Sequence, residues 1–391
     1  MFKRFSSRGI VVSVPEDHGA TDVLDVSERS AVVQPHDYPE DTYHACWYYF
    51  GVTNKAASRS SIKITLQNLP IDPPYYGGKG YEPFWKNSVW STDRMNWKRI
   101  TDKNQKFGES SVEIQMDLGP EESRWIAETY PVTYQDYSNL MEQLPNYRGS
   151  ELEREKILLG KTEKGRPLYA VKFTSPSSGD KKVMLLVSGQ HAVEESGKIF
   201  THTVIQWLNE NYRISKAREV LRNCEVYVVP LANPDGCYDG RMNTNAKGEN
   251  PLIDACVETQ CIFKLIDEIK PSILINAHGW GNLLGKAPHE GWYHWDESDP
   301  FYLHMKKNMY GVGSVDEPEK EGAEKPSDHI IKEDFKIENY AHSRYGTYTG
   351  ILEIDWNSYK PSADAREVRP TLHQIRKRSL EYFLTASSML I

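Results

Sequence analysis

Four apolar runs in this sequence end in residues that can do chemistry. Residues 183–187 (VMLLV) lead into Ser188-Gly189-Gln190-His191-Ala192-Val193-Glu194-Glu195. Residues 226–231 (VYVVPL) lead into Ala232-Asn233-Pro234-Asp235-Gly236. Residues 273–276 (ILIN) lead into Ala277-His278-Gly279-Trp280, and Gly350-Ile351-Leu352 into Glu353. If these runs are strands of one open sheet, their carboxyl ends share an edge, where such sheets bind ligands. His191, Glu194, His278 and Glu353 then converge. Two imidazole nitrogens and a carboxylate, with one position left open, are a standard donor set for catalytic zinc. Spacing alone would not make the case. Among 12 His and 55 acidic residues, His-x-x-acidic recurs by chance, and a lone His278 reads equally well as a structural histidine. The shared strand-end context is what joins them. A His-Glu-x-x-His helix is absent, because His289-Glu290 is followed by His294, one residue too far. There is no GxGxxG and no GxSxG motif.

The elements that must carry these residues follow from periodicity. Residues 132–144 place Tyr137, Leu140, Met141 and Leu144 on one helical face. Beyond them strand and helix patterns alternate. Residues 157–160 and 168–173 are strand-like around a Gly165-Arg166-Pro167 turn. The runs at 183–187, 226–231 and 273–276 are continuously apolar, as in strands covered on both faces. Helices are expected at 198–209, 256–269 and 371–390. This alternation predicts an α/β fold with a mixed, mostly parallel sheet and helices on both faces.

Residues 1–125 read differently. The segments 46–52 (CWYYFGV), 61–66 (SIKITL) and 112–118 (VEIQMDL) are β-branched, aromatic or alternating. Residues 54–60 suit a hairpin loop, and 68–81 are rich in Pro, Gly and Tyr. An all-β sandwich is expected there, with the texture changing near Tyr130. The domain division is therefore 1–125 and 128–391.

Composition narrows the function class. The 391 residues carry 47 basic and 55 acidic side chains, a net charge of −8, which argues against a nucleic-acid partner. No stretch approaches the ~18 apolar residues of a membrane span. Five cysteines, at 46, 224, 237, 256 and 261, form no CxxC pair and suit a reducing compartment. The N-terminus has no apolar run of the ~7 residues a secretion signal needs. A cytoplasmic protein is expected, with neither membrane nor nucleic-acid partner; its oligomeric state is not legible.

The order His191-x-x-Glu194, Asn233-Pro234-Asp235-Gly236, His278 and a late Glu353 resembles the zinc metallocarboxypeptidase family. The segments 159–168 (LGKTEKGRPL) and 130–134 (YPVTY) resemble that family's early strand and the opening of its catalytic domain. Residues 47–54 (WYYFGVTN) and 91–100 are similar to strands of the β-sandwich that precedes the catalytic domain in its cytosolic carboxypeptidase subfamily. Val193 stands where secreted digestive members carry Arg, and cytosolic members lack that Arg too.

The resemblance implies one Zn2+ per chain, bound by His191, Glu194 and His278, and Glu353 as general base. Either Arg241 or Asn243 lies where the family keeps an oxyanion-stabilising Arg, and Arg241 is taken as the catalytic candidate. Asn243, Asn245 and Trp280 are candidate substrate-binding residues. One departure bears on substrate. The family's Asn-Arg pair, which clamps a substrate's terminal carboxylate, is missing from Gly248-Glu249-Asn250-Pro251-Leu252-Ile253. Lys286, Arg344 or Lys332 would have to supply that charge. Tyr340, Tyr345 and Tyr348 are candidates for a proton-donating tyrosine. Trp280, Trp292, Tyr293 and Trp295, with His289 and His294, suit a ligand-stacking loop or its packing onto the domain. The expected reaction is zinc-dependent hydrolysis of an amide bond in a peptide or peptide-like substrate. Two alternatives are a deacylase or amidase on an amino-sugar or cell-wall conjugate, and a silent metal-binding interaction protein.

Overall fold

The computed structural model describes residues 1–41, 47–69, 88–176, 179–279, 290–293, 298–309, 312–313, 336–354 and 370–391. Two sheets build the N-terminal region. One is six-stranded, in the order Phe2–Ser6, Ile10–Pro15, Tyr49–Asn54, Ser123–Ala127, Val89–Ser91, Lys98–Arg99. The other is five-stranded, in the order Thr21–Val26, Ser30–Pro35, Ser60–Leu66, Val112–Leu118, Gln105–Phe107. Ladders are antiparallel except Ser30–Pro35 against Ser60–Leu66. Ile10, Val12, Phe50 and Val52 of the first sheet pack on Val33, Ile62, Ile64 and Ile114 of the second, so the two form a sandwich.

Side-chain alternation explains how this sandwich docks. Tyr48, Phe50 and Val52 face the sandwich core, whereas Trp47 and Tyr49 point the other way. The outward pair joins Val89, Ala127 and Tyr130 in one apolar cluster with Tyr137, Phe173, Phe200 and Met242 of the second domain. The last sandwich strand runs to Ala127, two residues past the division at 125.

Residues 54–60 do not form a hairpin loop. Tyr49–Asn54 and Ser60–Leu66 lie in different sheets, and the segment crosses between them. Asn54 fixes the crossing. Its fully buried side-chain amide donates to the carbonyls of Ser58, Leu118 and Gly119. Local turn composition reports a change of direction, not which sheet the chain enters next.

The second domain holds a nine-stranded mixed sheet. Its order is Tyr147–Arg148, Glu153–Lys161, Pro167–Thr174, Cys224–Val229, Lys182–Ser188, Ile273–His278, Tyr348–Glu353, Glu290–Tyr293, Val312–Gly313. Lys182–Ser188 pairs in parallel with Cys224–Val229 on one side and Ile273–His278 on the other. Ile273–His278 pairs in parallel with Tyr348–Glu353. Apolar clusters lie on both faces, which is why these strands read as unbroken apolar runs. Helices Glu195–Asn211 and Leu372–Ser387 pack against the first cluster, and Val257–Ile269 against the second. Thr133 and Thr371 close capping boxes at the starts of Tyr134–Glu142 and Leu372–Ser387. This mixed α/β architecture positions the candidate site.

Candidate metal centre

The chain reverses its lateral direction at Lys182–Ser188, the central strand of the parallel group. Such a switch point opens a crevice beyond the strand ends. His191 and Glu194 occupy the loop after that strand, and His278 is the last residue of Ile273–His278. All three are buried. His191 Nδ1 lies 2.9 Å from Glu194 Oε1, and His278 Nδ1 lies 2.6 Å from Glu194 Oε2. The two rings meet nearly edge-on, with centroids 5.0 Å apart. One donor atom from each residue falls within 4.8 Å of the others. Burial works against the Glu194 charge, but the two histidines and their hydrogen bonds outweigh it and pull the carboxyl down to about 2. Two imidazole nitrogens held against an ionised carboxylate in a dry pocket fit a divalent metal such as zinc.

Two glycines permit this juxtaposition. A Cβ at Gly197 would lie 2.4 Å from the Ala277 carbonyl oxygen, and one at Gly279 1.9 Å from Ser196 Oγ. The first turn of helix Glu195–Asn211 therefore rests directly on the end of strand Ile273–His278. Ser196 Oγ also donates to the Ile354 carbonyl at 2.6 Å, and Ile354 N–H to the His278 carbonyl at 3.2 Å. Glu353 is the ladder partner of His278, so the two side chains leave adjacent strands at the same level.

A polar layer supports the histidines. His191 Nε2 lies 3.3 Å from Asn250 Oδ1. Fully buried Gln190 donates to the Pro251 carbonyl at 2.7 Å and accepts from Asn276 Nδ2 at 2.6 Å. Gln190, Asn250 and Asn276 were not expected from sequence. No spacing rule marks them, although each adjoins or ends a segment singled out above.

The remaining candidates are spread out. The Arg241 guanidinium pairs with Glu40 through Nη1 and with Asp239 through Nε, and lies 4.2 Å over the Tyr38 ring. Burial opposes its charge, but Glu40 and Asp239 outweigh it. Asn245 donates to Glu249 and Glu258 and accepts from the Lys247 and Glu249 N–H groups, so its amide organises its own turn. Asn243 is fully buried, and neither side-chain amide atom has a hydrogen-bond partner among the described residues. Ile253, where the clamp arginine would stand, is exposed.

Arg344 and the three tyrosines do not approach the metal centre. Tyr340 and Tyr345 donate to Asp267, and Arg344 pairs with the same carboxylate at 3.9 Å. This group precedes strand Tyr348–Glu353, whereas Glu353 ends it. Tyr348 begins that strand, five residues or about 17 Å from Glu353. Closeness in sequence placed these residues at the opposite edge of the sheet. Trp280, Trp295, Lys286, Lys332, His289 and His294, and the side chains of Trp292 and Tyr293, lie outside the described residues.

Residues 139–250 match a family model described as zinc carboxypeptidase. Carboxypeptidase O of Homo sapiens is 31% identical over 119 residues, 29% of this chain and 31% of that protein. Cytosolic carboxypeptidase 3 of Mus musculus is 25% identical over 226 residues, 53% of this chain and 22% of that protein. The chain thus spans less than a third of the length of these curated relatives. A metallo-carboxypeptidase from Burkholderia cenocepacia superposes with a TM-score of 0.72 at 20% identity, over 97% of this chain and 98% of that one. One from Pseudomonas aeruginosa, in complex with (2-guanidinoethylmercapto)succinic acid, superposes with a TM-score of 0.72 at 17% identity, again over 97% and 98%. The shared fold thus includes the N-terminal sandwich. Residues 139–250 are thus similar to a zinc carboxypeptidase domain, and the curated relatives matched are carboxypeptidases by name.

Proposed function

We propose that this protein hydrolyses an amide bond in a peptide or peptide-like substrate, with one zinc ion held by His191, Glu194 and His278. One observation carries the reading: these three donors converge at the carboxyl ends of parallel strands, with Glu353 level with His278 on the next strand. A zinc ion bound there lowers the pKa of its water toward ~7 and polarises a carbonyl. Glu353 takes the proton from the attacking water on its carboxylate and returns it to the leaving amine. Asn250 and the Gln190–Asn276 pair hold the histidine edge in place. Arg241 is already ion-paired to Glu40 and Asp239. Asn243, whose buried amide is unpartnered, is therefore the better donor to the developing oxyanion.

The turn at 248–253 offers Leu252 and Ile253 where an Asn-Arg clamp would stand, and Arg344 sits at the far edge of the sheet. Without a guanidinium, a free substrate carboxylate gains little there. This favours substrates whose end beyond the scissile bond is neutral, such as an amide or a glycosylated conjugate. A cytoplasmic setting is part of the reading, supported by the four cysteines among the described residues, all free and buried. The test is a comparison of kcat/KM on matched acid and amide forms of one peptide. The expected ratio lies within about tenfold. A preference for the acid above about 100-fold, roughly 2.7 kcal/mol, would restore ordinary carboxypeptidase specificity and require a cation from elsewhere.

A further inference from the structure

We infer that the N-terminal sandwich is a working part of the metal centre. Through His18 and Asp41 it fixes both ends of the loop that carries His191 and Glu194. The inference rests on the reading of that loop as metal-binding.

The first end is Glu195, the residue after Glu194. Its Oε1 accepts from His18 Nε2 at 2.6 Å and from Lys198 Nζ at 2.9 Å, and its Oε2 accepts from Val132 N–H at 2.6 Å. His18, Glu195 and Lys198 are at most 1% exposed. The other ring nitrogen of His18 lies 2.7 Å from the Cys237 carbonyl. A carboxylate and a carbonyl only accept, so both ring nitrogens donate and the ring is an imidazolium. Its backbone is held in the left-handed region, at φ 66°, by its N–H to the Tyr238 carbonyl at 2.7 Å. Trp47 donates to the His18 carbonyl at 2.7 Å and packs on its ring. A β-domain loop is thus held in an unfavourable conformation to deliver one cation to the residue beside Glu194.

The second end is Ala192, the residue after His191. Ala192 N–H donates to the Met242 carbonyl at 3.2 Å. Met242 N–H in turn donates to Asp41 Oδ2 at 3.0 Å, and Asp41 Oδ1 accepts from Thr244 Oγ1. Contacts that merely glue two domains together would fall anywhere on the interface. Others do, at Asp17, Tyr38 and Arg99, but His18 reaches the residue next to Glu194, and Asp41 reaches, through Met242, the residue next to His191. Groups that orient metal ligands typically change affinity about 10–100-fold when removed.

The test uses the full chain with His18→Gln, Asp41→Asn and both together. Arg99→Gln serves as a control, because Arg99 bridges the domains through the Pro370 carbonyl at 3.0 Å. Three quantities are measured: Zn2+ affinity by chelator competition, the visible spectrum of the Co2+-loaded protein, and the thermal midpoint. The double variant is expected to lose about 10–100-fold in Zn2+ affinity and to change the Co2+ spectrum. The control should shift only the thermal midpoint. If His18→Gln yields no folded protein, Asp41→Asn alone must still show an affinity loss of about tenfold. Unchanged affinity and spectrum in the folded variants would overturn this inference and leave the metal centre standing. So would a control that alters both equally. A wild-type chain that binds no Zn2+ or Co2+ overturns the metal reading and this inference with it.

Discussion

Glu194 and Glu195 are neighbours in sequence, both buried, and each faces two basic side chains, yet the two clusters differ in kind. Glu195 meets the ammonium of Lys198 and a His18 ring whose two nitrogens both face acceptors. Both ring nitrogens and the ammonium donate, so the carboxylate is paired with two cations and the cluster is a structural knot. Glu194 meets His191 and His278 through one ring nitrogen each, and the second nitrogen of His191 faces Asn250 Oδ1. A neutral imidazole presents a lone pair that a metal can take, whereas the Lys198 ammonium has none. The identity of the partner cation, rather than the carboxylate or its burial, separates a domain lock from a metal cradle.

The sharpest way to break this contrast is His191→Ala with His278→Ala. Zinc content should fall to near zero by elemental analysis, while circular dichroism stays native. Zinc equal to wild type would make Glu194 the centre of a second knot. Next is Glu353→Gln, which keeps shape but cannot take a proton. Zinc should be retained and turnover on an identified substrate should fall roughly 10²–10⁴-fold. Retention of more than about a tenth of wild-type turnover removes Glu353 from that role. Lys198→Met acts on the other cluster. Removing one member of a buried ion pair typically costs about 3–5 kcal/mol, read as a lower denaturant midpoint. A loss below about 1 kcal/mol would mean that water enters the cluster and solvates Glu195.

The smallest effect is a pH dependence. Burial and Lys198 push the His18 pKa down, while Cys237 and Glu195 push it up more strongly, to about 10. Its unfolded value is about 6.5. The protonated ring therefore contributes all its stability below about pH 6.5 and loses it as pH rises through about 10. Thermal midpoints of wild type should decline across that window more steeply than those of His18→Gln. Parallel curves would mean that His18 is neutral in the folded protein.

The convergence of His191, Glu194 and His278 in the candidate metal centre was legible because it is built on strand ends. Residues 183–187 and 273–276 announce themselves as buried parallel strands, and the chemistry follows at their carboxyl ends. The sandwich was legible in kind but not in connection: nothing in 54–60 says that the next strand joins the other sheet. Tyr340, Tyr345, Tyr348 and Arg344 misled because proximity along a strand places side chains at its opposite end. His18 carried no signal at all. Its partner lies 177 residues away, and an isolated histidine has no periodicity to read.

The bare contact between Gly197 and Gly279, on one side, and the end of the neighbouring strand and helix, on the other, acts as a gauge block for the cradle. With a Cβ at Gly197 only 2.4 Å from the Ala277 carbonyl oxygen, a single methyl group there has to prise the helix from the sheet. Glu194 would travel with the helix while His278 stayed with the strand. A related sequence could thus retain every ligand residue and still hold them too far apart to grip an ion. Motif matching would count such a chain as intact, and the spacer glycines are where its silence would be written.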